Sequence, residues 1–227
     1  MVHSAREMKL DYKTAFKYPL KDWKRLVVMG LLDFPGAFLL LPIPFYIGYV
    51  IKTAEELLEG NNKLPEIKDP IYLLKKGLGA IAVAIEFSLT TLFLTISFII
   101  GTTLGLYLLS TLLLNQPPTA LMRLIGYILF MIGSVYIILS LPLMMIHYAR
   151  KNKFTAGFDI MEPYATFKKE KKKFIIAATI MLVLNFLQYF AIIILPLYGV
   201  VIAYTELITL HLYTQLYKNK EKIEQTI

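Results

Sequence analysis

Four apolar runs, residues 26–51, 78–114, 124–148 and 174–217, are each at least as long as the roughly 20 residues that a helix needs to cross a bilayer's hydrocarbon. Inside hydrocarbon every backbone N–H and C=O must be satisfied within the protein, and a helix does this within its own segment. The runs therefore predict an all-α, polytopic helical membrane protein. The rest of the chain agrees: 57% of its 227 residues are hydrophobic and only 18% charged, too apolar a balance for a soluble domain of this size. The first run begins late, lacks a small-residue cleavage site and is followed by further runs, so it reads as an inserted span, not a removable leader. There is no cysteine, which removes disulfides, thiolate metal sites and Cys nucleophiles.

Charge placement sets the expected orientation. The net charge is +8, and the basic residues crowd residues 6–25, 150–173 and 218–222. By the bias of Lys and Arg toward the cytoplasm, all three regions are expected inside. Residues 52–76 mix lysines with Glu55, Glu56, Glu59, Glu66 and Asp69 and are placed inside as well, while the uncharged "NQPPTA" of residues 115–120 is placed outside. A run with both flanks cytoplasmic must enter and return, so 26–51 is expected to turn near Pro42 and Pro44, and 174–217 near Pro196. Between them, 78–114 crosses outward and 120–149 crosses back. The result is six apolar segments, with two proline-turn hairpins flanking a long central helix pair, in a multi-pass protein of the cell membrane with both termini cytoplasmic. As one straight helix, 78–114 would be about 55 Å long; it either tilts, projects or breaks near Gly101.

The whole chain, 1–227, then reads as a single membrane domain. An interfacial basic helix over 4–18 is followed by a first hairpin, 24–58, and a cytoplasmic connection, 59–76. The central pair, 77–149, leads into a basic cytoplasmic segment, 150–173, a second hairpin, 174–217, and a basic tail, 218–227. The lone tryptophan, Trp23, stands where the first span enters, at headgroup level, with Lys21, Lys24 and Arg25 expected on anionic phosphates. Lys171, Lys172 and Lys173 are expected to anchor the second hairpin in the same way. Membrane lipids with anionic headgroups are thus the expected partners, with a partner membrane protein or a homo-oligomer possible in addition. Basic clusters beside spans are expected anyway, so no nucleic acid is expected.

A shift of 152 residues superposes the start of the chain on its end without a gap. Tyr12, Thr14, Lys17, Lys21, Met29, Leu32, Phe34, Phe38, Pro44 and Tyr46 fall on Tyr164, Thr166, Lys169, Lys173, Met181, Leu184, Phe186, Phe190, Pro196 and Tyr198, and Asp33 falls on Asn185. Each copy reads as a basic surface helix, a span, a proline and a Tyr-bearing return span. Both copies begin on the same side, so the repeat is parallel, not inverted.

"AFKYPLKDWKRLVVMGLL" (15–32) followed by "EGNNKLPEIKD…LLKKGL" (59–78) resembles the domain-of-unknown-function 4013 family of prokaryotic, largely archaeal membrane proteins. The resemblance implies fold and location and supplies no activity. The residues of the second motif also have their own physical reading. Gly60 suits a left-handed helix cap, Leu64-Pro65 forces an extended link, and Asp69-Pro70 is an N-cap followed by an N1 proline. A divalent-cation site on Glu55, Glu56, Glu59 and Glu66 is the alternative, disfavoured by the lysines interspersed among them.

Ionisable residues inside apolar runs are costly unless paired, hydrated or protonated. Glu86, Glu206, Asp33 and His211 are the candidates for an intramembrane polar site; His147 lies near the end of the fourth run. Either the acids line a hydrated cavity, or they belong to a structural network between helices. Glu206 and His211 point away from each other on a helix, so they are not a ready metal pair. The spacing of Gly101 and Gly105 permits close helix packing. No zinc-protease helix, serine nucleophile elbow or phosphate-binding loop motif occurs. No catalytic residue, metal site or cofactor is expected. The sequence reading is a non-enzymatic structural or interaction bundle that binds lipids or a partner membrane protein; the alternative is a small transporter or permease with a central acidic cavity.

Overall fold

A computed structural model describes residues 10–39, 42–114, 120–191 and 195–226, with the side chains of 33–39, 109–110, 113–114, 120–123, 189, 191, 195–196 and 226 outside the description. The chain is all-α: α1 (Tyr12–Lys17), α2 (Trp23–Leu39), α3 (Pro42–Glu59), α4 (Pro70–Leu114), α5 (Ala120–Lys151), α6 (Met161–Lys169), α7 (Lys171–Ala191) and α8 (Leu195–Thr226). Short 3-10 turns at Pro19–Asp22 and Phe154–Phe158 join α1 to α2 and α5 to α6. Strands are absent among the described residues.

Helix ends follow local chemistry. Gly60, at φ 93°, ends α3 in a left-handed cap, with the N–H of Gly60 on the Leu57 carbonyl and that of Asn61 on Glu56. The Asp69 carboxylate accepts the Tyr72 N–H at 2.9 Å, and Pro70 takes the first helical position, so α4 starts there and not at residue 77. From Pro70 it runs unbroken for 45 residues, about 67 Å. One helix, not two, thus covers 78–114. Similarly α8 continues through the expected tail, to Thr226. The N-terminal basic helix is shorter than the expected 4–18: Asp11 caps it through the Thr14 N–H and hydroxyl, and residues 1–9 lie outside the description. Pro42 and Pro44, expected at the first hairpin's turn, fall in the first turn of α3, and Pro196, expected at the second's, falls in the first turn of α8. Residues 40–41 and 192–194 lie outside the description.

The core gathers at one end of the long helices. It joins Tyr46, Tyr49 and Ile51 of α3, Leu73, Ala80 and Val83 of α4, Leu143 and Ile146 of α5, Ala177 and Met181 of α7 and Leu207 to Tyr213 of α8. Glycine allows the closest crossings. A Cβ on Gly48 or Gly77 would stand 1.8 Å from the Leu73 oxygen or 1.6 Å from the Pro44 oxygen, so α3 and α4 touch backbone to backbone. Gly30 does the same for α2 against Gly199 and Val200 of α8. Among the described residues, nothing stands within 4 Å of an added Cβ on Gly101 or Gly105, so no described neighbour uses the close approach that their spacing permits.

The two family motifs meet in the loop between α3 and α4. Five successive carbonyls, of Asn62, Lys63, Leu64, Pro65 and Glu66, accept in turn from Lys21, Tyr18, Arg25, Tyr49 and Lys52. An extended, proline-bearing segment has no ladder partner of its own, and these side chains supply one. Burial pushes the Tyr18 hydroxyl up, keeping it a neutral donor.

Beyond the core, polarity reverses. Residues Pro70–Leu108 and Leu124–Lys151 are long and apolar enough to cross a membrane. Large apolar side chains there are exposed, among them Phe93 at 69%, Phe98 at 63% and Tyr127 at 69%.

Candidate functional site

Where α3, α5, α7 and α8 come together they enclose a cavity of about 330 Å³. One wall is apolar: Ile47 and Val50 from α3, Ile138, Leu141, Pro142 and Met145 from α5. The other end is polar, with Tyr46 of α3, Asn185 of α7, and Thr205, Glu206 and Thr209 of α8. The Tyr46 hydroxyl donates to Glu206 Oε2 at 2.5 Å. The Thr205 and Thr209 hydroxyls donate to carbonyls one turn back, of Ile202 and Thr205, both at 2.9 Å. Gln188 of α7 bonds the Thr205 hydroxyl and ties α7 to α8. Among the described residues α7 packs chiefly on α8 and α6, and α5 on α4, α3 and α8.

The candidate polar residues are not one site. Glu206 lines this cavity, but Glu86 does not. Glu86 faces the 3-10 turn after α5, where a Cβ on Gly157 would be 2.7 Å from its Oε2, and that oxygen is buried without a hydrogen-bond partner. Because α4 starts at Pro70 and the turn folds back along it, Glu86 is covered by residues the sequence assigned to a cytoplasmic loop. His211 is elsewhere again: buried, with its ring 5.1 Å from that of Tyr18 and Nδ1 3.0 Å from Gln215 Nε2. Gln215 in turn bonds both the N–H and the carbonyl of Asp11, fixing the N-terminal segment on α8. Asp33 belongs to α2, but its side chain is outside the description.

Two clusters were missed by sequence reasoning. His147, only 2% exposed, has Nδ1 2.9 Å from the Tyr217 hydroxyl and Nε2 3.2 Å from Asp159. Beside it Glu162 pairs with the buried Lys220, joining α6 to α8. At the start of α4, Lys76 pairs with Glu55 and reaches Asn152 at 2.9 Å, while Tyr72 donates to Glu55 at 2.6 Å. Their partners come from segments 58 and 76 residues away, so spacing gave no signal. Of the four acids of the alternative cation site, three have partners within the chain: Glu55 has Lys76, Glu56 has Asn61, and Glu66 has Lys68 and Arg25. Lys68 beside Glu66 holds its carboxyl below the usual range. No group of three metal-ligating side chains occurs among the described residues.

The expected anchors divide. Trp23 is 62% exposed, and Lys24, Lys171 and Lys172 are exposed. Lys21 and Arg25 are instead turned to the loop carbonyls, and Lys173 pairs with Glu170 at 2.7 Å.

Fold and cavity thus define an all-helical bundle with two helices long and apolar enough to cross a membrane and a cavity between α3, α5, α7 and α8. The chain belongs to the family described as "Protein of unknown function (DUF4013)", whose model matches residues 36–197. No curated protein and no solved structure matches it.

Proposed function

We propose that the chain is a multi-pass cell-membrane protein, with six membrane segments and both termini cytoplasmic, that acts as a non-enzymatic bundle binding lipid. The observation that carries this is the reversal of polarity along α4 and α5. At one end lie buried ion pairs and the carbonyl-capped loop; toward the other, large apolar side chains are exposed on several sides. An apolar surface of that extent is matched by lipid, not water. Exposed Trp23 with Lys24, Lys171 and Lys172 suits the boundary with anionic headgroups. Phe154, Phe158 and Met161 stand exposed at the same polar end and suit insertion beneath those headgroups.

The permease alternative required Glu86 and Glu206 to face one interior. They face different surroundings, which favours the binding bundle. With no native cysteine, Gln116→Cys, Lys153→Cys and Lys222→Cys can be labelled singly in intact cells with a membrane-impermeant maleimide. The expected result is labelling of position 116 from outside, and of 153 and 222 only after permeabilisation. Release of the chain from membranes by alkaline carbonate, or outside labelling at 153, would overturn the reading.

A further inference from the structure

After α5 the chain does not leave the bundle; it climbs back along α4. At the start of the climb Asn152 bonds Lys76 at 2.9 Å. The Phe154 ring then lies 3.3 Å from where a Cβ on Gly79 would be, and Gly157 presses on the Val83 oxygen and the Glu86 side chain. Gly79, Val83 and Glu86 form one stripe of α4, so the segment rises along seven residues, about 10 Å, toward the apolar end of that helix. Its far end is fixed on α5, where the Tyr136 hydroxyl donates to the Ile160 carbonyl at 2.6 Å. Helix α6 returns, with Glu162 on Lys220 and Lys169 on Glu224 near the end of α8.

Non-helical backbone is tolerated at membrane depth only where its polar groups are satisfied or buried in protein. This turn bonds itself: the N–H groups of Ala156, Asp159 and Ile160 donate to the carbonyls of Lys153, Ala156 and Phe158. Ala156 and Gly157 are buried, and Asp159 has Lys151 at 3.3 Å and His147 at 3.2 Å. What faces outward is apolar, with Phe154, Phe158 and Met161 each 60% exposed. On the neighbouring stripe of α4, Leu78, Ile85 and Leu89 are exposed at the same levels, so the patch is continuous with the face of the span. Exposed Lys75 and Lys153 stand at its lower edge, where headgroups would lie. We infer that residues 153–161 are a re-entrant segment, entering the cytoplasmic leaflet at Lys153, reaching the level of Glu86 and returning through α6, with Phe154, Phe158 and Met161 among acyl chains. This rests on the membrane reading above and deepens it: the basic stretch 150–173 is no longer wholly a cytoplasmic connection. The partnerless Oε2 of Glu86 is then screened from lipid by the segment's own backbone.

Tryptophan depth tests it, because the chain has a single tryptophan. The full-length protein is reconstituted in phosphatidylcholine–phosphatidylglycerol vesicles whose chains carry bromine near the headgroup, at mid-chain or at the methyl end; iodide is the quencher from water. Trp23 of the unaltered chain gives the headgroup reference. In a Trp23→Phe background, Lys153, Phe154, Phe158, Leu78, Ile85 and Phe98, all exposed, are replaced singly by tryptophan. Phe154→Trp is expected to match Leu78→Trp in depth, and Phe158→Trp to match Ile85→Trp. Phe158→Trp should lose most of the iodide quenching seen at Lys153→Trp and gain quenching by chain bromine. On the unaltered chain, phosphatidylcholine with a mid-chain diazirine should label the peptide from Phe154 to Met161. Iodide quenching of Phe158→Trp equal to that of Lys153→Trp, or absence of lipid label from that peptide, would overturn the inference. Phe98→Trp separates the two readings: quenched by methyl-end bromine while Phe158→Trp is not quenched by any, it leaves the membrane reading standing and removes the re-entrant segment; unquenched by any bromolipid, it removes both.

Discussion

Replacing Gly77 by alanine is the sharpest perturbation of this fold, because the obstacle is backbone. An added Cβ would lie 1.6 Å from the Pro44 oxygen and 2.6 Å from its carbonyl carbon, where ordinary contact begins at 3.4 Å. A side chain could swing aside, but a helix carbonyl cannot, so α4 must retreat from α3 by about 2 Å along their crossing. That separation loosens Leu73, Ala80 and Tyr49, all in the core. Overpacking of this kind costs about 1–3 kcal/mol, and a backbone obstacle puts it in the upper part of that range; against about 1 kcal/mol regained by helix propensity, a net loss of about 1–2 kcal/mol is expected. Gly101→Ala is the matched control: with no atom within 4 Å it should be neutral or gain up to about 1 kcal/mol. Far-UV circular dichroism of both variants, titrated with SDS in mixed micelles, measures the pair. Equal stability of Gly77→Ala and the parent, or equal damage from Gly101→Ala, would refute the argument that α3 and α4 meet backbone to backbone.

Other consequences follow from named contacts. Tyr49→Phe removes the donor to the Pro65 carbonyl and should cost about 1–3 kcal/mol in the same titration, while Tyr204→Phe, whose bond to Phe16 is exposed, should cost less than about 1 kcal/mol. Glu162→Gln removes the nearer of the two counter-charges of the buried Lys220 ammonium, leaving Glu224 at 3.7 Å, and should cost less than the roughly 3–5 kcal/mol of a fully unpaired buried charge, whereas Glu162→Leu combined with Lys220→Met should restore most of the loss. Lys169 beside Glu224 holds its carboxyl below the usual 4.5, so the unfolded chain binds that proton more tightly than the folded one. The pair's contribution is therefore complete above about pH 4.5 and fades as pH falls through the folded value. Melting temperatures of the parent and Glu224→Gln should differ at neutral pH and converge in acid.

The sequence carried the features that depend on neighbours in the chain. Gly60, Asp69 and Pro70 act as caps because capping chemistry is local, and the apolar runs announced helices because a span needs only length. Tertiary choices were not legible in the same way. Lys21 and Arg25 have the composition of phosphate anchors, yet the loop at residues 62–66 claims them, since its carbonyls lack any other donor. Glu86 reads in the sequence as an acid inside an apolar run, but the turn containing Gly157 folds over it, and no periodicity predicts that return. Glu206 stands out in the sequence as a polar residue in an apolar run; its hydrogen-bond partner Tyr46, and Asn185, which lines the same cavity, lie on other helices and are brought there only by folding.

The repeat accounts for where the cavity lies. Under the shift of 152 residues, α2 corresponds to α7 and the first part of α8 to α3, and the buried faces agree: Met29 matches Met181, and Ile51 matches Ala203. The close packing of α2 on α8 should then have a counterpart in α7 on α3. It has none among the described residues. The reason is at the crossing point itself. Gly30 and Gly199 let α2 and α8 approach, but the corresponding residues are Leu182 and Ile47, whose side chains demand separation. Leu182 turns outward, exposed, and Ile47 becomes part of the cavity wall. Helix α5 enters on the α3 side without reaching α7, and the unfilled remainder is the space beside Glu206. The cavity thus lies where two large residues take the place of the glycines at which the other pair of helices meets, which is why α3, α7 and α8 all contribute to it.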